Sequence, residues 1–477
     1  MYKFITVKKL YTLVVSVLFV MAGLFLGGCA HNLTGYYKKL RTKLDAGDYG
    51  EAAKFVDKSE STYGKKNVLM YHLDSGIVNH FASNYETSLK SFEQAKKMFA
   101  QYYQKSITAG VASMFFNDNT LPYYGKDFER VHMHVFEALD YILSGQNDEA
   151  VVEARQVDTL FKTLQIEKNY KIFYKDDGFI RYLMGFVYEN AKDINDAHIS
   201  YYKALKAYKN GIAEIAVPKK LIDDAYTSAL LLGMEDRAYE IKKEYPQACK
   251  CMIPSGCGEC VVINYNGIVP EKIETVLEFA LSDAWAYVGI AEVGSGDERS
   301  FAQAKSIGIS AFANDYIKVS FPKYRDFKNK IVSFSITNGD LEIKSNLVQD
   351  LSNVAKKCLD ADITKIYAKT LARAAVKYVI GKSCSQAIEK EGNKALGLLS
   401  KIAFNAYNSL SEVSDKRAWH TLPDKVLMAR FYLPEGLHTL KVNFLGSDGE
   451  ILQSKDVSVD VKAGKKNFIT IRSSKIY

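Results

Sequence analysis

Four cysteines crowd into twelve residues: Cys249, Cys251, Cys257 and Cys260. Thiolates spaced C-x-x-C, as Cys257 and Cys260 are, reach one metal ion, so zinc or an iron–sulfur cluster is the first chemistry to weigh. The other pair is C-x-C, a poor spacing for a zinc knuckle, and no thioredoxin-like βαβ pattern surrounds either pair. The eight histidines are dispersed. His132 and His134, two apart, leave different faces of a helix and are unsuited to one metal. Neither H-E-x-x-H nor G-x-S-x-G occurs. Asp283, Asp297 and Glu298 are acids at turns, where carboxylates solvate or cap. Gly294-Ser295-Gly296-Asp297 lacks the lysine and the strand–helix context of a phosphate cradle. The expectation is no catalytic residue, no cofactor and no metal.

The state of the thiols depends on compartment, and the N-terminus sets that. Lys3, Lys8 and Lys9 form a positive n-region, followed by an uncharged apolar run from Leu10 to Leu26. This is the layout of a secretory signal peptide, and the run is a little short for an uncleaved membrane span. Its end, Leu26-Gly27-Gly28-Cys29, resembles the bacterial lipobox. That resemblance implies that residues 1–28 are removed and that Cys29 carries the acyl chains; two or more chains give stable anchoring. Ala30 rather than aspartate after the cysteine implies, by analogy with enteric bacteria, the outer membrane, facing the periplasm. An exported chain meets oxidants, so Cys249, Cys251, Cys257 and Cys260 are expected as disulfides ahead of free thiols or metal ligands. With Cys29 acylated, six cysteines remain, Cys358 and Cys384 among them.

Charge excludes one class of partner. The net charge is +8, and removing the first 28 residues with their three lysines leaves +5 across 449 residues. That is mild, and there is neither a long Lys/Arg run nor the aromatic–basic interleaving that nucleic acid requires. With 48% hydrophobic and 12% aromatic residues, the 477-residue chain can fill two or three packed cores.

The elements change character near residue 248. From 29 to 247 the spacing is helical, and the small residues Ala52, Ser88, Ala150, Ala197 and Ala238 each open a second helix. They lie 36, 62, 47 and 41 residues apart, which resembles degenerate tetratricopeptide repeats of period about 34 with insertions. The largest insertion lies around 106–127. A generic all-α bundle is the alternative, since small residues mark helix crossings there too. If the resemblance holds, first-helix positions line a concave groove: Tyr182, Phe186 and Glu189 in the fourth repeat, Leu73, Ile77 and His80 in the second. Such residues suit an extended peptide or a partner helix, or else they pack against the next repeat.

Beyond 248 the period falls to two. Strands are expected at 259–267, 316–322, 331–336 and 341–347, then at 426–433, 438–445, 451–461 and 467–473, with turns at Asn338-Gly339-Asp340, Pro434-Glu435-Gly436 and Gly446-Ser447-Asp448-Gly449. Residues 273–291 and 301–309 fit neither period cleanly. Residues 348–412 return to helical spacing. The economical fold is α+β: an N-terminal α-solenoid, then a β-sandwich-like domain (248–477) interrupted by a helical insert at about 348–412. The acylation signal, the repeats, the strand Gly256, Gly258, Glu259, Val261, Val262 and the segment Arg417, Trp419, Thr421, Leu422, Pro423 together resemble a largely uncharacterised family of bacterial lipoproteins. That resemblance implies an envelope role and brings no established chemistry. The expected function is a membrane-anchored, non-catalytic adaptor or scaffold for envelope proteins. A cell-wall or polysaccharide-processing enzyme is the first alternative, a redox or metal protein the second.

Overall fold

The structure, a computed structural model, describes residues 33–108, 119, 121–166, 174–280, 316–339, 341–390 and 413–475. Cys29 and the residues before it lie outside that set, as do 281–315 and 391–412. The fold mixes helix and sheet.

Eleven helices come first among the described residues: α1 (Leu33–Asp45), α2 (Tyr49–Asp57), α3 (Glu60–Tyr63), α4 (Val68–Phe81), α5 (Tyr85–Thr108), α6 (Asp127–Leu143), α7 (Asn147–Ile166), α8 (Gly178–Asn190), α9 (Ile194–Lys209), α10 (Lys219–Leu231) and α11 (Glu235–Glu244). The repeat is written in the backbone. Gly47, Ser83, Gly145, Lys192 and Gly233 all sit at positive φ, between 60° and 80°. After each, an N–H reaches back five residues: Asp48 to Lys43, Asn84 to Asn79, Gln146 to Tyr141, Asp193 to Tyr188 and Met234 to Ala229. This left-handed helix stop satisfies the last carbonyls of the first helix and reverses the chain. Five residues past each stop comes Ala52, Ser88, Ala150, Ala197 or Ala238, all buried. The five stops therefore share the irregular spacing of the small residues. At the crossings a Cβ on Gly76 would overlap the Phe92 ring, and one on Gly185 the Tyr201 ring. The helical repeats are tetratricopeptide-like in this sense: small against large at one register, turn after turn.

The strands are β1 (Cys257–Asn266), β2 (Glu271–Ala280), β3 (Tyr316–Arg325), β4 (Ser333–Asn338), β5 (Leu341–Lys344), β6 (Asn346–Asp350), β7 (Lys425–Pro434), β8 (Gly436–Leu445), β9 (Ile451–Val461) and β10 (Lys466–Ser473), with α12 (Leu351–Lys390) between β6 and β7. They form four-stranded sheets in the orders β10-β1-β7-β6 and β5-β4-β8-β9, and a two-stranded ribbon, β2-β3. The stretch from Ile273, ambiguous in sequence, is strand as far as Ala280: its ten-residue ladder with β3 uses the β-branched and aromatic residues on one side. Phe279 from that side, with Ile317, Val319 and Phe321 of β3, packs on Leu371, Ala372 and Ala375 of α12.

Strand alternation divides β1 between two cores. Cys260 and Val262 join Phe334, Val442, Phe444 and Val461 from the β5-β4-β8-β9 sheet. Val261, Ile263 and Tyr265 point the other way and join the helices, in one apolar cluster with Ile77, Phe136, Phe186 and Trp419. The helical core therefore runs on through residue 247 into the first sheet. The sheet edge at β10 faces the helical stack: Tyr49 donates to the Arg472 carbonyl at 2.8 Å, and the Asn190 amide exchanges 2.8 Å hydrogen bonds with the Lys466 backbone. Covering an edge in this way removes a template for aggregation.

Candidate functional site

The first-helix residues expected to line a groove do share one face, but the chain's own sheet fills that face. Tyr182 and Phe186 are fully buried. The Phe186 ring lies 6.1 Å from that of Phe468 on β10, and the Arg430 guanidinium from β7 lies 4.8 Å from the Phe186 centroid. Glu189 accepts from Tyr201 and pairs with Lys466 at 3.1 Å. In the second repeat Leu73, Ile77 and His80 are equally buried. His80 meets Asp140 at 2.5 Å and has the Tyr265 ring of β1 at 6.5 Å. The partner-binding role expected of Tyr182, Phe186 and Glu189 is corrected accordingly: the apolar inner face was completed from within the chain, by the parallel and antiparallel neighbours of β1.

A charged knot closes this seam. Arg430 donates to Tyr182, to Asp224 on α10 (3.1 Å from Nη2 to Oδ1) and to Glu259 on β1 (2.8 Å from Nε to Oε1). Lys466 donates to the other Glu259 oxygen at 2.6 Å. Burial raises the Glu259 carboxyl, but Arg430 and Lys466 outweigh it and hold it below the usual range. Asp224, which shares its guanidinium, is raised by burial despite Arg430. The two motifs noted in the sequence serve this seam. Gly258 is needed because a Cβ would meet Lys462 and Asn467, and Glu259 is the knot's anion. In the other motif Arg417 donates to the Leu121 carbonyl at 2.8 Å, the Trp419 N–H to Glu129 at 2.8 Å, and Thr421 to Asp74 at 2.6 Å. Tyr37 and Tyr63 also donate to Asp74, each at 2.8 Å, yet burial raises that carboxyl to about 6.

The cysteine cluster is not cross-linked. Cys249, Cys251, Cys257 and Cys260 are free thiols. Cys257 and Cys260 stand three apart on β1 and so leave opposite faces of the sheet, which rules out a bond between them. Cys251 Sγ lies 3.0 Å from the Tyr432 hydroxyl and Cys249 Sγ 3.3 Å from Asp223, on neighbouring elements instead. Burial pushes the Cys260 thiol up to about 12. Cys358 is also free; the side chain of Cys384 lies outside the description.

With the inner face filled, an exposed surface comes forward that the sequence did not single out. An open groove of about 650 Å³ runs between α9 and α11, lined by Tyr202, Leu205, Ile241 and Tyr245 and by Lys206 and Lys243. Arg237 and Lys206 lie 4.1 and 4.4 Å from the Tyr202 ring centroid, fixing its plane. Lys209 and Glu244 pair at 2.7 Å between the two helices. Lys206 and Lys243 are exposed. The available signal was position: α11 closes the run of helices, so part of its apolar edge and that of α9 meet no further repeat.

No family model matches this chain, and no curated protein matches it. Among solved structures it is similar to the apo form of RapI, at 12% identity and a TM-score of 0.33, covering 57% of this chain and 64% of that one. The chain thus spans less than two thirds of RapI. It is also similar to the nearly identical tetratricopeptide-like repeats of a putative kinesin light chain of Podosopora anserina (12% identity, TM-score 0.30, covering 46% of this chain and 94% of that one). A third is a Rap protein complexed with Competence and Sporulation Factor (12% identity, TM-score 0.27, covering 79% and 75%). These likenesses concern helical architecture and carry no functional argument.

Proposed function

We propose that this chain is an envelope lipoprotein, tethered through acylated Cys29, that acts as a non-catalytic protein-binding adaptor. In this reading the helices form a short α-solenoid, the two four-stranded sheets form a β-sandwich that braces its inner face, and α12 belongs to the insert. The observation that carries the reading is the α9/α11 groove. It offers the half-buried rings of Tyr202 and Tyr245 over the buried Leu205 and Ile241, rimmed by the exposed Lys206, Lys243, Glu240 and Glu244, which suits a segment of a partner protein that presents apolar side chains flanked by charges of both signs. A tether raises the effective concentration of such a surface near envelope partners, so modest affinity suffices. The test is site-specific photo-cross-linking in intact cells from position 206, with exposed position 441 on β8 as control. A discrete adduct from 206, lost when Lys243→Glu is introduced without a change in melting temperature, supports the reading. Adducts only from 441, or a partner retained by the stable Lys206→Glu/Lys243→Glu protein, overturn it. Acyl-chain labelling that persists in Cys29→Ala overturns the anchor.

A further inference from the structure

A second cluster lies away from the seam and the groove, where α6 and α7 pack beside α5. His134 and Glu137, three apart on α6, share a helix face, and Glu153 of α7 meets them. All three are buried, at 4%, 1% and 3% exposure. His134 Nδ1 lies 2.8 Å from Glu153 Oε2 and 3.3 Å from Glu137 Oε2. One ring nitrogen is therefore shared between two carboxylate oxygens. The remaining two oxygens are held separately: Lys96 of α5 reaches Glu137 Oε1 at 3.1 Å and Glu153 Oε1 at 2.8 Å, and Gln156 donates to Glu153 Oε1 at 3.0 Å. Lys96 also pairs with Glu93 at 3.2 Å. Glu137 Oε2, although buried, accepts no hydrogen bond of normal geometry.

We infer that His134, Glu137 and Glu153 form a binding site for one divalent cation of the zinc class. The three ligand atoms already lie within 4.8 Å of one another. Zinc bonds to nitrogen and oxygen of about 2.0–2.2 Å place tetrahedral ligand atoms about 3.4 Å apart, so the Glu153 contact at Nδ1 (2.8 Å) needs to open by about 0.6 Å and the Glu137 contact (3.3 Å) by about 0.1 Å. A mixed donor set of one imidazole and two carboxylates suits zinc and its first-row neighbours better than calcium or magnesium. Lys96 need not leave, because it grips the opposite oxygens and holds both carboxylates in orientation, as outer groups do in metal sites. The ion takes the neutral His134 ring through Nδ1 with the ring proton on Nε2; where the ring is doubly protonated, the Nδ1 proton goes to solvent, and a water from the partly exposed Lys96 side completes the coordination. The sequence hid this because it set His134 beside His132, which points elsewhere: His132 Nδ1 is engaged with the Phe128 carbonyl at 2.7 Å.

The test uses the purified full chain, stripped with chelator and titrated with zinc sulfate. One equivalent should bind, with affinity rising about tenfold per pH unit below the imidazole pKa as one proton is displaced. Glu137→Gln, which keeps the oxygen facing Lys96, should lower affinity at least tenfold; His134→Gln should do the same. X-ray absorption on the loaded wild-type protein reads the site without any variant, and should show nitrogen and oxygen neighbours including an imidazole shell. A sulfur-dominated shell, stoichiometry unchanged in both folded variants, or no binding at micromolar zinc overturns the inference and leaves the cluster an internal ion-pair network.

Discussion

Replacing Arg430 by methionine tests whether the helices and sheets hold one seam. The Arg430 side chain is 4% exposed and serves two anions, Asp224 and Glu259. Removing one partner of a buried ion pair typically costs about 3–5 kcal/mol, because the other charge stays buried. The structure places the loss unevenly. Glu259 keeps Lys466 at 2.6 Å, whereas Asp224 keeps the Tyr182 hydroxyl at 3.0 Å. Asp224, already raised by burial, can then take up a proton, which caps the penalty near the lower bound, about 3 kcal/mol at neutral pH. At roughly 2–4 °C per kcal/mol the melting temperature should fall by about 6–12 °C. The penalty should shrink towards pH 5, and adding Asp224→Asn to Arg430→Met should restore part of it. The assay is thermal melting followed by far-ultraviolet circular dichroism for the helices and, with the other tryptophan removed as Trp285→Phe in every protein compared, by fluorescence of Trp419, buried in the shared cluster. A loss below about 1 kcal/mol, or helices that keep their wild-type transition while the Trp419 signal melts early, would refute a shared core.

Three further outcomes follow from particular contacts. Asp74 is raised from 3.8 to about 6, so between those values the folded state holds a proton that the unfolded chain has lost. Its contribution to stability therefore falls as pH rises through that window, by about 3 kcal/mol in all. Urea unfolding of Asp74→Asn at pH 4 and pH 6.5 should show the variant gaining on wild type by that order; a constant difference would defeat the assignment. Gly185→Ala should destabilise by about 1–3 kcal/mol despite a better helix propensity, because the Tyr201 ring it strikes is tied to Glu189. Gly185→Ala/Tyr201→Leu should recover part of that loss, and a single variant as stable as wild type would show that the crossing can relax. Among the thiols, exposed Cys249 should react with alkylating reagent in the native protein and buried Cys260 only after unfolding. An unreduced peptide joining Cys257 to Cys260 would contradict the strand geometry.

The repeats were legible because their signal is local. A left-handed stop followed five residues later by a small residue is set by backbone sterics and helix crossing, so degenerate spacing did not hide it. The C-terminal strands were legible for a similar reason, since β7 to β10 carry period-two patterns bounded by turns. Long-range pairing was not legible. Nothing in Tyr182 or Phe186 says that a strand almost three hundred residues later, β10, will cover them, and β1 with β10 is a parallel pair whose connection spans the rest of the sheet region. The expected disulfides among Cys249, Cys251, Cys257 and Cys260 named no pairing, because compartment speaks to redox state; strand alternation speaks to reach and removes the pairing of Cys257 with Cys260. His134, Glu137 and Glu153 escaped because the third residue comes from a neighbouring helix.

For the proposed adaptor, the filled inner face changes where a partner can dock. In an open solenoid the concave side combines reach with apolar area. Here that side is committed, and exposing it would mean breaking the Arg430 and Lys466 ion pairs as well as a shared apolar core. Each of those buried pairs carries a penalty of several kcal/mol when only one partner is left behind, more than a peptide in a shallow groove ordinarily returns. In the proposed adaptor the sheets then act by subtraction: they occupy the inner face and leave the outer surface, including the α9/α11 groove at the end of the stack, as the accessible side. Recognition there calls for side chains already in position. Tyr202, held by Arg237 and Lys206 before any partner arrives, meets that requirement because a fixed ring loses little entropy on binding.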